Sequence, residues 1–423
     1  MTSLKLNLKR LWMLPLLVSL LLGACTPRTA AGEAQQAFRP LDELRIADTV
    51  TLVGVGEATH GNAEFVSLRR EVLELLVTRH GFRAFAIEGD FGGGQVVNRY
   101  VLEGVGTAED AARAIGFAIY RTQEMADLIE WIRQYNLAAA PEERIHVYGF
   151  DMQRYDHNIN GLTAYLEQVD PGAAAGCRQA LADLNDETVF DQQVDKVRAG
   201  LRAVQKIRAD LQANQAAYIA ASSAEAFDLA DQFAASIEEN ATLRSGTGNY
   251  SQLRDTYMAE KVGWILEFEQ RAGRGKVMIA GHNGHIEKSA AAAQYRSMGS
   301  RLSETYGAQY YAVGADFLES TFNSADAAGG ERKEFSVKNR SALNRAFEAA
   351  GMETACLEMS SALESEALRP LVTRKQAVSA IGDSFSTWNA YLPLFYALQM
   401  VPAEAFDAMI FVRSAHPTTM LPQ

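Results

Sequence analysis

Cysteine is scarce in this chain of 423 residues, which contains only three, at positions 25, 177 and 356. They form no C-x-x-C pair, so the sequence indicates neither a structural zinc cluster nor a dithiol redox site. Cys177 and Cys356 lie far apart in the sequence. The pattern leaves open whether these two residues form a disulfide.

An excess of basic residues is also lacking, since the formal net charge is −12. No basic patch with interleaved aromatic residues is present, which excludes nucleic acid as a main partner. The patterns G-x-G-x-x-G and G-x-x-x-x-G-K-[ST] are absent, so no dinucleotide or P-loop nucleotide site is indicated. The G-x-S-x-G pattern is absent as well, and with it the nucleophilic serine of an α/β-hydrolase.

The first 24 residues have the pattern of a bacterial lipoprotein signal peptide. A basic segment precedes an apolar run at 11–22, which is short for a helix that spans a bilayer. The run ends in L-G-A-C, which resembles a lipobox, so we expect cleavage before Cys25 and lipidation of that residue. Residues 25–39 are then expected to form a flexible tether to a membrane of the bacterial cell envelope, on its periplasmic or surface side. An ordinary signal peptide or an uncleaved anchor is the alternative.

Strand-like segments recur along residues 40–423, and polar residues follow each of the first four. The segments are 51–55, 83–87, 145–148 and 276–280, followed in turn by Glu57 and His60, by Glu88 and Asp90, by Asp151, and by His282 and His285. Helical patterns separate the segments, which predicts an α/β fold with a mostly parallel sheet and helices on both faces. Because parallel strands end at one edge of a sheet, we expect these polar side chains to meet there.

Residues 158–245 show only amphipathic helical patterns, which predicts a large helical insertion over the sheet. Further strands are predicted at 309–315, 334–338, 353–359 and 408–412. Gly54 and Gly56 are predicted to let the first strand bend tightly where it ends.

Several blocks of sequence, taken in order, resemble the erythromycin esterase family, within the erythromycin esterase/ChaN-like superfamily. The blocks are G-E-A-T-H-G at 56–61 followed by Glu64, Phe65 and Arg69, then Glu88, R-D at 254–255 with M-A-E at 258–260, H-N-G-H-I at 282–286, and F-D at 406–407. Glu260 stands where the family motif often has asparagine. The lipobox is a second departure, because resistance esterases of this family are usually cytoplasmic. These departures leave the substrate open.

The resemblance implies a metal-independent hydrolase without a cofactor, which opens the lactone ring of macrolides or acts on another small-molecule ester. It also implies that His60 is the general base that activates water. We predict that Glu57 and Glu88 orient the His60 ring and stabilise its imidazolium. Basic side chains are expected to stabilise the developing oxyanion. The predicted catalytic residues are His60, Glu57, Glu88 and His285, and the predicted substrate-binding residues are Arg69, Arg254, His282 and Asp90.

Two alternatives stay open at this point. The imidazole and carboxylate groups of Glu57, His60, Glu88, His282 and His285 are ligand types that suit zinc or manganese, which would make the protein a metal-dependent hydrolase of the same superfamily. A surface lipoprotein that binds a ligand without turning it over is the other alternative.

Overall fold

The computed structural model describes residues 30–291 and 295–422, so the expected signal peptide and Cys25 lie outside the described residues. Over these ranges the chain forms strands and helices in alternation. The strands are β1 (Leu52–Glu57), β2 (Ala84–Asp90), β3 (His146–Asp151), β4 (Val277–His282), β5 (Tyr310–Asp326), β6 (Arg332–Lys338), β7 (Thr354–Glu358), β8 (Gln376–Ser379), β9 (Ser384–Phe385), β10 (Ala397–Met400) and β11 (Ala408–Ala415).

The α-helices are α1 (Ala30–Ala37), α2 (Ala63–His80), α3 (Phe91–Glu103), α4 (Ala108–Ala114), α5 (Gln123–Ala138), α6 (Asp156–Val169), α7 (Pro171–Ala180), α8 (Val194–Ala213), α9 (Gln215–Ala221), α10 (Ala224–Arg244), α11 (Tyr250–Arg271), α12 (Asn283–Ile286), α13 (Met298–Tyr306), α14 (Ala342–Ala350), α15 (Met359–Glu364), α16 (Arg369–Val372) and α17 (Pro402–Ala405). Short 3₁₀ helices lie at Leu41–Glu43, Ala118–Tyr120, Pro141–Glu143, Gly307–Gln309, Thr387–Tyr391 and Pro393–Phe395. None of the helices between residues 30 and 422 combines the length and the hydrophobicity needed to cross a bilayer.

The main sheet has the strand order β3-β2-β4-β1-β5-β11-β7. All neighbours in this order pair in parallel except β11 and β7, which are antiparallel. β5 continues past the sheet and pairs there with β6 and β9, while β8 and β10 form a separate antiparallel pair. The mostly parallel sheet confirms the predicted fold class, although β8, β9 and β10 and the length of β5 were not predicted.

Side chains of the central strands alternate between two hydrophobic cores, one on each face of the sheet. In β1, Val53 and Val55 point into a core that includes α2 to α5. Leu52 points to the opposite face, into a core that includes α11 and α13 to α16. Helices therefore cover both faces, as predicted.

Helices α6 to α10 form the predicted helical insertion, between β3 and α11. They bury a third hydrophobic core of their own, built around residues such as Leu162, Val204 and Phe227. Cys177 lies in this core and Cys356 lies in β7, and both are free and buried. The two cysteines therefore do not form a disulfide with each other.

The expected tether differs from the structure over residues 30–39. Residues 30–37 form α1, and Phe38 is buried against the rings of Phe347 and Phe411, with centroid distances of 5.7 and 5.6 Å. Arg39 pairs with Cys356 through backbone hydrogen bonds in both directions. An aromatic contact of this size stabilises the docked segment, so these residues belong to the folded domain.

Gly54 and Gly56 also differ from expectation, because β1 stays extended through both of them. A Cβ at Gly54 would lie 2.6 Å from the hydroxyl of Tyr310, and one at Gly56 would lie 2.3 Å from Oδ1 of Asn283. The glycines therefore permit close approach by side chains, and not a bend. Asn283 uses this space to donate to the carbonyls of Ala315 and Ser379, at 2.7 and 3.0 Å.

Candidate active site

Four neighbouring strands deliver polar side chains to the carboxyl edge of the sheet. In the order β3-β2-β4-β1 these are Asp151, Glu88, His282 and Glu57. Glu57 and His282 are direct partners in the register of β1 and β4. The structure therefore brings together residues far apart in the sequence, since Glu57 and His282 are separated by 225 positions.

Glu57 and His60 form a hydrogen-bonded pair in the turn between β1 and α2. Nδ1 of His60 lies 2.6 Å from Oε1 of Glu57, while Oε2 of Glu57 forms an ion pair with Arg69 from α2. An Nδ1–H that donates to a carboxylate leaves Nε2 as the basic nitrogen of a neutral ring. No hydrogen bond within residues 30–291 and 295–422 uses this Nε2, and the His60 side chain is 11% exposed. The turn thus presents one free imidazole nitrogen to the site.

The two groups of this pair shift each other's pKa in opposite directions. Burial alone would raise the pKa of the Glu57 carboxyl, but the charges of Arg69 and His60 lower it below its ordinary value. Burial alone would lower the pKa of His60, but the Glu57 carboxylate raises it above its ordinary value. Glu57 is therefore an anion that makes His60 a stronger base.

Glu88 lies in β2 and accepts hydrogen bonds from both sides of the site. Its Oε2 accepts from the backbone N–H of His282 at 2.7 Å, and its Oε1 accepts from Nη2 of Arg254 at 2.7 Å. Burial opposes ionisation, but the charges of His285 and Arg254 hold the pKa of Glu88 well below its usual range. A Cβ at Gly281 would approach Oε2 to 2.9 Å, so the carboxylate needs a glycine beneath it.

Arg254, near the start of α11, links three strand-end groups. Its Nη2 lies 2.6 Å from Oδ2 of Asp151, and its Nη1 lies 3.0 Å from Nε2 of His285. The other ring nitrogen of His285 contacts Asp255 at 2.8 Å. Burial alone would lower the pKa of His285, but Glu88 and Asp255 raise it above its ordinary value. Both nitrogens of His285 are thus occupied by protein groups, which suits a residue that positions Arg254.

His282 carries a buried nitrogen that lacks a hydrogen-bond partner among the described residues. Its Nδ1 accepts from the backbone N–H of Gly284 at 3.4 Å, which places the proton of the neutral ring on Nε2. Burial and the charge of His60 lower the pKa of His282 to about 3, so the ring is neutral at pH 7. Within the described part of the chain its Nε2 has no hydrogen-bond partner. The rings of His282 and His60 lie 5.1 Å apart between centroids, so the unpaired nitrogen belongs to the ring that neighbours the free base.

Two predicted substrate-binding residues occupy different positions from those expected. Arg69 is 1% exposed and lies behind Glu57, where it can position that carboxylate but cannot contact a substrate. Asp90 is completely buried and caps α3 by accepting from the N–H of Gly93 at 2.8 Å. It also accepts from Asn158 at 2.8 Å, and burial raises its pKa to about 8. Asp90 is therefore a buried helix cap, and its burial favours the protonated form.

Sequence reasoning did not assign a role to three carboxylates of the site. It placed Asp151, two residues after Gly149 at the end of β3, at this edge of the sheet but gave it no function. Asp255 was noted only as part of a block, although it holds His285 and accepts from the backbone N–H of Met298 at 2.8 Å. Asp383 was missed entirely, and its charge acts on His60 from a loop more than 300 residues away in the sequence.

The donor atoms of this cluster do not fit a metal site. No group of three or more His, Cys, Asp or Glu side chains among residues 30–291 and 295–422 is arranged to hold a metal ion. Both carboxylate oxygens of Glu57 and of Glu88, and both ring nitrogens of His285, already have protein partners. The guanidinium groups of Arg69 and Arg254 supply the positive charge beside these carboxylates.

The sequence model of the family described as erythromycin esterase matches residues 77–415. The chain belongs to the erythromycin esterase family. The predicted resemblance is thus confirmed, although Glu57 and His60 precede the matched range. Membership of this family supports a hydrolase or esterase function with a small-molecule substrate.

Two relatives agree with this assignment. Erythromycin esterase type II of Escherichia coli is 26% identical over 307 residues, which cover 66% of this chain and 71% of that protein. The putative hydrolase YbfO of Bacillus subtilis strain 168 is 21% identical over 266 residues, 56% of each chain.

Three solved structures share the fold. A protein from Bacillus cereus superposes with a TM-score of 0.79 at 21% identity, over 93% of this chain and 98% of that one. A succinoglycan biosynthesis protein gives 0.75 at 20% identity, over 92% and 98%. A mutant of the erythromycin esterase EreC in its open conformation gives 0.67 at 17% identity, over 91% and 94%. At these identities the likeness shows the fold alone.

Proposed function

We propose that this protein is a metal-independent carboxylic ester hydrolase, in which His60 activates the water that cleaves an ester or lactone. One observation carries the proposal: the His60 ring, held by Glu57 through Nδ1, lies 5.1 Å from the ring of His282, whose Nε2 has no partner among the described residues. Ester hydrolysis needs a base for water and a donor for the oxyanion, and these two groups supply both.

The reaction then proceeds in two steps. The water oxygen bonds to the carbonyl carbon, while its proton moves to Nε2 of His60 and Glu57 stabilises the imidazolium. His282 donates its Nε2–H to the oxyanion of the tetrahedral intermediate. Collapse of the intermediate breaks the bond to the leaving oxygen, which takes the proton back from His60. The products are a carboxylic acid and an alcohol, joined in one molecule if the substrate is a lactone.

The remaining predicted residues support these two histidines. Glu88 accepts a hydrogen bond from the backbone N–H of His282 and so fixes that backbone. Arg254 and His285 hold Glu88 in place. Arg254 is 15% exposed, so it also places positive charge at the wall of the site. Arg69 acts through Glu57 as a positioning residue.

A lipophilic ester or lactone, such as a macrolide, is the substrate class that the nearby surface suits. The N–H of Ile381 donates to the carbonyl of Ala58, beside the catalytic turn. The loop that follows exposes large apolar side chains, including Trp388 at 79% and Leu394 at 76%. Such a patch is typical of a surface that binds apolar molecules.

We further propose that the mature protein is anchored to a membrane of the bacterial cell envelope through lipidated Cys25. The basic segment, the short apolar run and the L-G-A-C sequence support this location. Replacing Cys25 with serine should abolish incorporation of labelled fatty acid and move the protein from the membrane to the soluble fraction. Unchanged fractionation and labelling would contradict the anchor.

The catalytic proposal is tested by assaying the purified protein on a panel of esters and lactones that includes macrolides. The variant His60→Asn should lose about 10²- to 10⁴-fold in kcat/KM on any ester that the wild type cleaves, the range typical of a general base. His80→Asn, at the end of α2 away from the site, is the matched control and should keep full activity. Equal activity of the His60→Asn variant and the control would refute the role of His60.

The same preparations distinguish the two alternatives. Dialysis against a chelator should leave kcat/KM unchanged, whereas loss of activity with recovery on adding zinc or manganese would indicate a metal-dependent hydrolase. A ligand-binding lipoprotein without activity would bind members of the panel and release them unchanged.

A further inference from the structure

Two arginine side chains stack on one exposed phenylalanine beside the carboxyl end of β3. The guanidinium carbons of Arg154 and Arg244 lie 4.9 and 5.0 Å from the centroid of the Phe190 ring, which is 66% exposed. Arg154 also lies 5.2 Å from the ring of Phe117. Stacking holds a guanidinium by its flat face and leaves its N–H groups free to bind an anion at the edge.

Neither guanidinium has an ionic partner in the part of the chain that the structure describes. Arg154 donates its Nε–H to the carbonyl of Gly116 at 2.7 Å. Arg244 donates to Oδ1 of Asn240 at 2.8 Å and lies 3.5 Å from the carbonyl of Gln153. All these acceptors are neutral. Two arginines side by side without a carboxylate in direct contact are unexpected in a chain with 52 acidic and 40 basic residues.

Charges of both signs act on Arg154. Burial lowers the pKa of Arg154 below its ordinary value; the charges of Asp186 and Asp90 oppose this effect, and those of Arg244 and Arg121 add to it. Asp90 neutralises little of this charge at pH 7, because burial raises its pKa to about 8. An anion bound at the arginine edges would relieve the repulsion.

Gln153 connects this arginine pair directly to the candidate active site. Its Nε2 donates to Oδ2 of Asp151 at 2.8 Å, and its Oε1 accepts from the hydroxyl of Tyr250 at 2.7 Å. Asp151 in turn binds Arg254. β3 and β1 lie three strand spacings apart, or about 14 Å, along the edge of the sheet that carries the candidate active site.

We propose that Arg154 and Arg244, held on Phe190, form a subsite for an anionic group of the substrate, a carboxylate or a phosphate. This inference rests on the proposed hydrolase function. It identifies the substrate class as an ester or lactone that also carries a negative charge. The charge binds at the β3 end of the site, and the apolar part extends toward the loop that carries Trp388.

Binding of inorganic phosphate to the full-length protein, measured by titration calorimetry, tests the subsite without any need for catalysis. The double variant Arg154→Met/Arg244→Met should bind at least about tenfold more weakly than the wild type, since each arginine loses a charge-assisted hydrogen bond. Arg45→Met, an exposed arginine that precedes the amino end of β1, is the matched control and should bind like the wild type. Equal binding of phosphate by the double variant would overturn the proposal. So would an adventitious ion only, which means phosphate that the same concentration of chloride displaces.

Paired substrates then test the link to catalysis. One series consists of 4-nitrophenyl monoesters of dicarboxylic acids of increasing chain length, and the other of the same esters with the free carboxylate capped as a methyl ester. At one chain length the wild type should have a higher kcat/KM for the charged ester than for the capped ester. In the double variant this ratio of kcat/KM values should fall about tenfold. If phosphate binding falls in the variant but no ester is cleaved by the wild type, the hydrolase proposal fails and the anion subsite stands. If esters are cleaved with an unchanged ratio and unchanged phosphate binding, the subsite fails and the hydrolase stands.

Discussion

Replacing Arg254 with methionine removes the cation that holds two carboxylates of the site. Its Nη2 lies 2.7 Å from Glu88 and 2.6 Å from Asp151, and both acidic side chains are almost completely buried. The arginine itself is only 15% exposed. Methionine fills part of the same volume but leaves Asp151 buried without its arginine partner, and Glu88 with the charge of His285 alone beside it.

The expected loss in the free energy of unfolding is about 3–5 kcal/mol, which is typical of breaking a buried ion pair by removing one partner. Arg208 offers a matched control, because it also bridges two carboxylates, Asp231 and Glu238, at 3.1 and 3.0 Å. Its side chain is 36% exposed, so Arg208→Met should cost about 1 kcal/mol or less. Urea unfolding followed by circular dichroism measures both.

The pH dependence of this loss has a definite sign. The pKa of Glu88 lies well below its ordinary value in the folded protein, so its ionisation stabilises the fold above about pH 4.5 and that stabilisation is lost as the pH falls. Without Arg254 the pKa of Glu88 rises. The difference in the free energy of unfolding between wild type and variant is therefore largest near pH 7 and shrinks as the pH falls toward 4. Equal losses for the two arginine variants at pH 7, or a difference independent of pH, would refute the reasoning.

Three further predictions follow from single positions. Gly281→Ala places a methyl group against Oε2 of Glu88, so it should lower kcat/KM at least tenfold with little loss of stability. The control Gly329→Ala adds a methyl group that meets nothing within 4 Å and should change neither kcat/KM nor stability. The pKa of Asp90 is raised to about 8, so its contribution to stability is lost as the pH rises from about 4 toward 8. Asp90→Asn should therefore weaken the dependence of the urea midpoint on pH between pH 5 and 9. An unchanged pH dependence would contradict the raised pKa of Asp90. Trp388→Ser should raise KM for a lipophilic ester severalfold more than for a short one, and equal effects would exclude the apolar loop as a binding surface.

The edge of the sheet was predictable because it depends on local signals. Each of β1 to β4 is a short apolar run that ends at glycine and a polar residue, and parallel strands place such ends side by side. Glu57, Glu88 and His282 could therefore be expected to meet without knowledge of any contact between them.

The partners of these side chains were not predictable, because they depend on contacts distant in sequence. Arg254 binds Asp151 across 103 positions and Glu88 across 166. Gly54 was misread for the same reason, since Tyr310 explains its lack of a side chain and a local bend does not. Arg69 shows a further limit of prediction from sequence. Its position nine residues after His60 does not reveal that the Arg69 side chain contacts Glu57.

The pH dependence of kcat/KM for wild-type and Glu57→Gln protein tests the role of His60 most directly. Burial lowers the pKa of His60, and the Glu57 carboxylate, together with the charges of Glu88 and Asp383, more than offsets this effect. Because only the neutral ring accepts a proton from water, wild-type kcat/KM should rise with pH through an apparent pKa above the ordinary value of 6.5. In the variant, burial dominates, so this rise should move to lower pH while the plateau falls. A rise that stays at the same pH in both proteins would contradict His60 as the base that Glu57 tunes.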